Sequence, residues 1–278
     1  MRGKVVVITG ATSGIGQVAA ERLAEMGARI VQVARDRGRG EAALARLRAR
    51  APGAAHRVHY AELSLMAETK RVAAEIAAAE PRVDVLINNA GALFSRRLVT
   101  AEGLELTFAT NHMAYFLLTH GLGERLRAGA PARVVNTASN SHRRGRLDFD
   151  DLQSARGYRA LAVYGLSKLC NILYTRELAR RWAGTGVTVN TLHPGFVATR
   201  FGDRSGGALA WAIRVSKLFA ISTEKGAETL VYLASSPEVA TISGGYFYEC
   251  RLARPTREAQ DDEAAARLWS ETAKLAGL

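Results

Sequence analysis

Short runs of β-branched and aromatic residues alternate along this chain with longer segments rich in alanine, leucine, glutamate and arginine. The runs are KVVVIT, RIVQVA, HRVHYA, VDVLIN, ARVVNT, VTVNTL and GGYFYE. Such runs are typical of strands, and the apolar residues of the longer segments recur at helical spacing. Regular alternation of strand and helix predicts an α/β fold, in which a doubly wound parallel sheet of about seven strands has helices on both faces.

Length and hydrophobic content are those of one domain. The chain has 278 residues, 48% of them hydrophobic, and a single α/β domain can reach about 250 residues. Its apolar runs are shorter than the roughly 20 residues that a membrane-spanning helix needs. Residues 1–4 lead straight into the first strand without the pattern of a signal peptide. We therefore expect a single domain over residues 1–278, no membrane span and a cytoplasmic location.

Charge and the positions of histidine and cysteine favour neither nucleic acid nor metal as a partner. The net charge is +12, but the six lysines and 32 arginines are spread along the chain among many alanines, which indicates compositional bias rather than a binding patch. His56 and His59 have a ligand-like gap, yet no cysteine or acidic cluster lies near them to complete a metal site. The two cysteines give no disulfide framework.

A glycine-containing turn, TGATSGIG, follows the first strand run and leads directly into a helix. Glycines at 10, 14 and 16 let the chain turn tightly and let a phosphate approach the backbone at the helix amino terminus. The spacing differs from the usual dinucleotide fingerprint, so a tight strand-to-helix connection is an alternative interpretation. The turn therefore indicates a nucleotide site only when other features of the sequence support it.

The end of the second strand run bears on which nucleotide would bind. A dinucleotide fold normally places an acidic residue about 20 residues beyond the glycines, where it binds the ribose. Here that strand ends in Ala34 and Arg35, followed by Asp36 and Arg37. A guanidinium suits the 2′-phosphate of NADP(H), so we expect NADP(H) to be preferred over NAD(H). The alternative is that Asp36 binds the ribose and Arg35 is merely exposed.

Polar and small residues also follow later strand runs, where a cofactor site of this fold would lie. They are Asn88–Gly91 after the fourth run, Ser139 after the fifth, and Pro194–Gly195 after the sixth. Tyr164 and Lys168 are four residues apart in a helical segment, so their side chains share a face. These segments together predict one site.

The combined motifs resemble those of the short-chain dehydrogenase/reductase family, whose members have a single-domain Rossmann fold. The matching segments are TGATSGIG, NNAG, FATNHMAYFLLT, YGLSK and HPGFVAT, with Asn111 and Ser139 at family positions. The similarity covers essentially the whole chain. It is closest to the retinol-dehydrogenase-like branch, through TAEGLELTFATNHMAYFLLT, the long interval from Ser139 to Tyr164 and the C-terminal tail.

The resemblance implies a catalytic role for four residues. Tyr164 would be the general acid/base, Ser139 would orient the substrate oxygen, and Lys168 would hold the ribose and perturb the tyrosine. Asn111 would support a proton-relay water. The cofactor-binding positions that it implies are Gly10, Thr12, Ser13, Gly14, Ile15, Gly16, Arg35, Arg37, Glu62, Leu63, Asn89, Ala90, Gly91, Tyr164, Lys168, Pro194, Gly195, Val197 and Thr199.

Two departures from the family pattern affect these assignments. Ala138 stands where many members have a first serine, which leaves Ser139 as the hydroxyl in register and Ser141 as an alternative. Glu62–Leu63 replaces the more usual Asp-Leu or Asp-Val that contacts the adenine side. The longer carboxylate would weaken that contact, although the backbone of Leu63 could still serve.

The expected activity is hydride transfer between NADP(H) and a carbonyl or alcohol group of a small lipophilic molecule, in the reductive direction. A non-catalytic NADP-sensing protein on the same fold is the alternative. Residues 200–223 would cover the substrate, because Trp211, Val215 and Leu218 form an apolar stripe at helical spacing. A surface helix packed on the domain, or shallow membrane contact, would also explain the stripe. Residues 250–278 would form a C-terminal extension, and a homo-oligomer is possible by family resemblance.

Overall fold

The computed structural model describes residues 1–195 and 221–278, which form one α/β domain. Its sheet has the strand order β3-β2-β1-β4-β5-β6-β7-β8. The strands are β1 (Val5–Thr9), β2 (Arg29–Ala34), β3 (Arg57–Tyr60), β4 (Val85–Asn88), β5 (Ala132–Thr137), β6 (Val187–Leu192), β7 (Tyr246–Tyr248) and β8 (Arg251–Leu252). All seven predicted strands are present and pair in parallel.

The eighth strand was not predicted. β8 has two residues and pairs antiparallel with β7 at the edge of the sheet. A strand of that length shows no periodicity in the sequence, so the expected count of about seven was one too low.

Helices cover both faces of the sheet. They are α1 (Gly14–Glu25), α2 (Arg37–Arg50), α3 (Met66–Ala79), α4 (Leu106–Phe108), α5 (Ala114–Gly121), α6 (Gly123–Ala128), α7 (Ala160–Arg181), α8 (Thr223–Ser235) and α9 (Asp262–Ala276). Side chains of β1 alternate between the two cores: Val5 and Val7 pack with α3, α5, α7 and α9, whereas Val6 and Ile8 pack with α1 and α8. Burial of both faces explains why the central strands β1 and β4 are almost continuously apolar.

The strand order reverses between β1 and β4. From β1 the chain adds β2 and β3 on one side of the sheet, and it then returns to add β4 to β7 on the other. At such a reversal the loops that follow the two central strands diverge and leave a crevice outside their carboxyl ends, where ligands of this fold class bind. The glycine turn after β1 and the Asn88–Gly91 segment after β4 therefore border the same crevice.

The C-terminal helix α9 docks on α5 and α7. Its Trp269 stacks on Tyr174 with ring centroids 5.8 Å apart, packs edge-on against Phe116 at 5.0 Å, and lies under the guanidinium of Arg181 at 4.5 Å. Gly277 ends the helix at a φ of 66°, a left-handed conformation that favours glycine. The last part of the chain is thus part of the domain's core rather than a loose tail.

Two further sequence predictions concern membrane-spanning helices and the segment 200–223. Within residues 1–195 and 221–278, no helix has both the length and the apolar character needed to span a bilayer. Val197, Thr199 and the apolar stripe around Trp211 lie outside the described residues, as does most of the 200–223 segment.

Candidate active site

Tyr164 and Lys168 lie together near the amino-terminal end of α7, beside the carboxyl end of β5. Lys168 is only 2% exposed, and its ammonium donates a hydrogen bond to the backbone carbonyl of Thr137, at 3.0 Å. The Lys168 Nζ atom is 5.6 Å from the ring centroid of Tyr164 and equally far from that of Tyr115. The four-residue spacing does bring the phenol and the ammonium onto one face, and that face points inward.

Ser139 completes this group from the other side. It lies two residues beyond the end of β5, and its hydroxyl interacts with the phenol of Tyr164, whose pKa it lowers. The Ser139 Oγ also accepts the backbone N–H of Ser141, at 3.1 Å, in the 3₁₀ turn Asn140–Arg144. Ala138 is buried in the core. The structure therefore places Ser139 beside Tyr164. Ser141 lies in the adjoining turn, and its backbone N–H donates to the Ser139 hydroxyl.

Burial controls the protonation of both side chains. Desolvation lowers the pKa of Lys168 to about 7, because a buried ammonium loses its hydration. Desolvation raises the pKa of Tyr164, while its hydrogen bond with Ser139 acts in the opposite direction. With only the protein's own groups around it, Tyr164 is a protonated phenol at neutral pH, and it can donate a proton.

The glycine turn and the segment after β4 are tied together by Thr9. Its hydroxyl oxygen accepts the backbone N–H groups of Asn89 and Ala90, each at 2.9 Å. The side-chain amide of Asn89 donates to the carbonyl of Thr9 at 3.2 Å. A Cβ added to Gly16 would lie 2.4 Å from the Gly10 carbonyl oxygen, so a larger residue does not fit there. The two loops are therefore held in contact at the crevice.

The first turn of α1 presents free backbone N–H groups. Gly10 and Gly14 have φ values of 71° and 60°, in the left-handed region that favours glycine. Ser13 is the N-cap residue of α1, and its side chain makes no capping hydrogen bond. Thr12, Ser13 and Ile15 are half-buried. Such a helix amino terminus can bind the phosphates of a dinucleotide.

Asp36 and Arg35 have different roles at the end of β2. The Asp36 carboxylate caps α2, accepting the backbone N–H of Arg39 at 2.8 Å, and this bond lowers its pKa. Arg35 Nη1 is 3.2 Å from the Glu62 carboxylate, and both side chains are part-exposed. The cap uses one carboxylate oxygen, Oδ1, so the alternative in which Asp36 binds a ribose stays open. Arg37 lies over the Tyr60 ring, 4.8 Å from the centroid.

Glu62 and Leu63 follow β3 on the same side of the crevice. The second carboxylate oxygen of Glu62 accepts the N–H and the hydroxyl of Ser64, at 3.2 and 2.9 Å. The backbone carbonyl of Leu63 accepts the Thr69 hydroxyl at 3.3 Å. The longer carboxylate at 62 is thus used to bridge Arg35 and Ser64.

Asn111 lies in a π-helical turn, Ala109–Met113, between α4 and α5. Such turns are often found at functional sites. Its side-chain oxygen accepts the Ala92 N–H at 2.8 Å, and its amide donates to the Ala92 carbonyl and to the Ser167 hydroxyl, at 2.9 and 3.0 Å. The side chain is therefore held in place by these bonds, while the backbone carbonyl of Asn111 accepts from Asn171 at 2.9 Å and has a second lone pair for a water.

Gly91 provides the space in which a cofactor would lie against these residues. A Cβ at Gly91 would be 3.3 Å from Asn111 Oδ1 and 3.4 Å from Lys168 Nζ, so both polar atoms face the same bare backbone. Pro194 and Gly195 follow β6, with Gly195 at a φ of 83°. Small residues along the crevice, a half-buried helix amino terminus and a buried ammonium are the features that fit a nicotinamide dinucleotide.

Sequence reasoning missed two buried residues beside Lys168. The hydroxyl of Tyr115 donates to the Ala90 carbonyl at 2.9 Å, and the side-chain amide of Asn171 donates to the Asn111 carbonyl at 2.9 Å. Tyr115 is four residues after Asn111, and Asn171 is three after Lys168. Helical spacing therefore gave a signal for both.

Comparison with known proteins agrees with this geometry. Residues 4–207 match the short chain dehydrogenase family. The chain is 40% identical to retinol dehydrogenase 13 of Homo sapiens, over 99% of this chain and 85% of that protein. It is also 40% identical to retinol dehydrogenase 12 of Mus musculus, over 99% of this chain and 87% of that protein.

Solved structures show the same fold. An uncharacterized protein from Mycobacterium paratuberculosis is 31% identical with a TM-score of 0.79, and the match covers 99% of this chain and 94% of that one. A short chain dehydrogenase from Burkholderia cenocepacia, solved in complex with NADP, is 26% identical with a TM-score of 0.70, over 88% and 96% of the two chains. The present chain therefore belongs to the short-chain dehydrogenase/reductase family, in its retinol-dehydrogenase-like branch, and is an oxidoreductase that acts on CH–OH groups with a nicotinamide cofactor.

Proposed function

We propose that this protein is an NADP(H)-dependent reductase of lipophilic aldehydes or ketones. The observation that carries the proposal is that the Ser139 hydroxyl and the buried ammonium of Lys168 both lie beside the phenol of Tyr164. Two hydroxyl donors at one point suit a carbonyl oxygen on which negative charge develops. A nucleotide sensor has no use for such a pair, so the sensing alternative has no support from this geometry.

A nicotinamide cofactor bound in this crevice would supply the hydride that reduces the carbonyl carbon. Ser139 donates a hydrogen bond to the carbonyl oxygen and holds it in place. Tyr164 gives its phenolic proton to the same oxygen, and the raised pKa keeps that proton on the phenol until the oxygen becomes basic. Lys168 holds the ribose and, when charged, stabilises the phenolate that remains. The backbone carbonyl of Asn111 supports the water through which Tyr164 is reprotonated.

The remaining proposed residues hold the cofactor. The turn from Gly10 to Gly16 takes the pyrophosphate at the amino terminus of α1, while the segment Asn89–Gly91 lies along the nucleotide. Glu62 and Leu63 border the adenine, and Pro194–Gly195 border the nicotinamide. Val197 and Thr199 belong to the same proposed set by family resemblance alone, since they lie outside the described residues.

The preference for NADP(H) rests on the end of β2. Arg35 follows β2 and has a part-exposed side chain, and the neighbouring Asp36 uses one of its carboxylate oxygens to cap α2. A guanidinium in that place attracts a 2′-phosphate. The NADP complex of the Burkholderia cenocepacia relative supports the same choice. Reduction is the direction that an NADPH pool kept reduced would drive.

The lipophilic substrate class rests on the relatives. The proteins that match over 99% of this chain are named retinol dehydrogenases, and retinol is an apolar primary alcohol. We propose a small lipophilic carbonyl or alcohol as the partner, a cytoplasmic location, and a single domain that includes the C-terminal extension of residues 250–278.

The test is an assay of NADPH oxidation by the full chain. Long-chain apolar aldehydes and ketones are compared with short polar ones at matched concentration, and NADH is run in parallel. We expect turnover that is higher with the long apolar substrates and with NADPH. Tight NADPH binding without turnover of any carbonyl or alcohol would refute the reductase and would favour the sensor. Equal rates with short polar substrates would refute the lipophilic class alone.

A further inference from the structure

A chain of buried hydrogen bonds connects the C-terminal helix with the carbonyl that holds Lys168. Its members are Thr272 on α9, His112 in the π-helical turn, and Asn171 on α7. All three are 0% exposed. The distances are 3.0 Å from Thr272 Oγ1 to His112 Nε2 and 3.4 Å from His112 Nδ1 to Asn171 Oδ1. Asn171 Nδ2 then reaches the carbonyl oxygens of Asn111, at 2.9 Å, and Thr137, at 3.4 Å.

The direction of every bond in this chain is fixed by chemistry. The two backbone carbonyls can only accept, so Asn171 must present its NH₂ group to them and its oxygen to His112. His112 must therefore donate from Nδ1. Burial lowers the pKa of His112 to about 4, so the ring is neutral and has one N–H. His112 Nε2 is then an acceptor, and it receives the hydroxyl proton of Thr272.

This series of hydrogen bonds ends at backbone carbonyls close to Lys168. The Thr137 carbonyl that accepts from Asn171 also accepts from the Lys168 ammonium, at 3.0 Å. The Asn111 carbonyl is the one to which the proposed mechanism assigns the relay water. Asn171 therefore holds both carbonyls in place without touching the cofactor or the substrate.

We propose that Thr272, His112 and Asn171 are positioning residues for the catalytic lysine, so that turnover depends on a hydroxyl of the C-terminal helix. Loss of the Thr272 hydroxyl leaves His112 Nε2 without a donor. The imidazole is then held by its bond to Asn171 alone, so the donor that fixes the Asn171 amide is less firmly placed. With that amide free to turn, the Thr137 and Asn111 carbonyls lose their common anchor. This inference rests on the proposed role of Lys168.

The test uses a pair of variants that differ by one hydroxyl. Thr272→Val has nearly the shape of threonine but no donor, whereas Thr272→Ser keeps the donor. Thr229→Val is the matched control. Thr229 is also a buried helical threonine, 4% exposed, but its hydroxyl accepts the Cys250 N–H at 3.1 Å on the opposite face of the sheet. The measurement is kcat with NADPH and a long-chain aldehyde, divided by the NADPH-binding stoichiometry so that unfolded protein does not count.

We expect kcat to fall about fivefold or more in Thr272→Val, as for coupled members of one hydrogen-bond network, and to stay within about twofold of wild type in Thr272→Ser and Thr229→Val. The inference is overturned if Thr272→Val has the kcat of Thr229→Val. Should Thr272→Val not fold, His112→Asn and His112→Leu provide a second comparison. Asparagine can still donate to Asn171, so kcat must be higher in His112→Asn than in His112→Leu.

Two further variants separate this inference from the proposed function. If Lys168→Ala and Tyr164→Phe lose turnover while Thr272→Val keeps it, only the positioning role of Thr272, His112 and Asn171 is wrong. If Lys168→Ala keeps wild-type turnover, the proposed mechanism and the positioning chain are both wrong.

Discussion

The ammonium of Lys168 is bound to the backbone carbonyl of Thr137, 3.0 Å away, at a point where the lysine is 2% exposed. An uncharged carbonyl is a weak partner for a buried cation, and burial accordingly lowers the pKa of Lys168 to about 7. This lysine is thus kept at a cost in stability, as is common for groups in active sites.

Replacing this lysine with methionine is expected to stabilise the protein and to abolish its activity. The lysine binds a proton in the unfolded chain up to its usual pKa of 10.5 but loses it in the folded chain near 7. Folding is therefore penalised most at pH 7 and below, and the penalty shrinks as the pH rises towards 10.5. Lys168→Met should raise the free energy of unfolding at pH 7 by an amount on the order of a few kcal/mol.

Urea unfolding at pH 7 and pH 9 measures this difference. The advantage of the methionine variant should be smaller at pH 9. A variant less stable than wild type at pH 7 would show that the Lys168 ammonium is satisfied by its surroundings.

His112 should make the folded protein sensitive to mild acid. Its pKa is about 4 in the folded state and 6.5 when unperturbed, so between these values the unfolded chain binds a proton that the folded chain does not. Stability is therefore lost as the pH falls from about 6.5 to about 4. In His112→Asn this part of the pH dependence should disappear. Unfolding free energies of both proteins at pH 7 and pH 4.5 test it; parallel losses in the two would rule out His112 as the source.

Arg35→Ala should narrow the preference for NADPH over NADH. The 2′-phosphate would lose its guanidinium partner, and removal of one member of a charge pair costs enough to change the kcat/KM ratio by at least about tenfold. Arg48→Ala, on the exposed side of α2, is the matched control and should leave the ratio unchanged. Equal use of the two cofactors by the wild-type protein would contradict this assignment.

The sequence predicted the sheet well because the central strands, buried on both faces, must be largely apolar, and seven runs with strand-like composition are visible. It also predicted that Tyr164 and Lys168 share a face, since that follows from helix geometry alone. The edge strand β8 is too short to show a pattern. The bond between His112 and Thr272 joins residues 160 positions apart, and nothing in local spacing indicates that α9 packs against this part of the chain.

Electrostatic details were harder to predict than positions. The family resemblance implies that Glu62 lies on the adenine side, but it did not indicate that the carboxylate lies 3.2 Å from Arg35 and also binds Ser64. Likewise, the effect of burial on the pKa values of Tyr164 and Lys168 depends on how many neighbours surround them, and this is a property of the folded chain.

The central claim is that Tyr164 supplies the proton in a nicotinamide-dependent reaction. Its most direct test compares wild type with Tyr164→Phe, which keeps the ring and removes only the hydroxyl, by measuring NADPH affinity and kcat on the same preparation. We expect NADPH affinity to be retained and kcat to fall by about 10²–10⁴-fold, the usual contribution of general acid/base catalysis. A variant that bound NADPH normally and kept more than about a tenth of the wild-type kcat would contradict the claim.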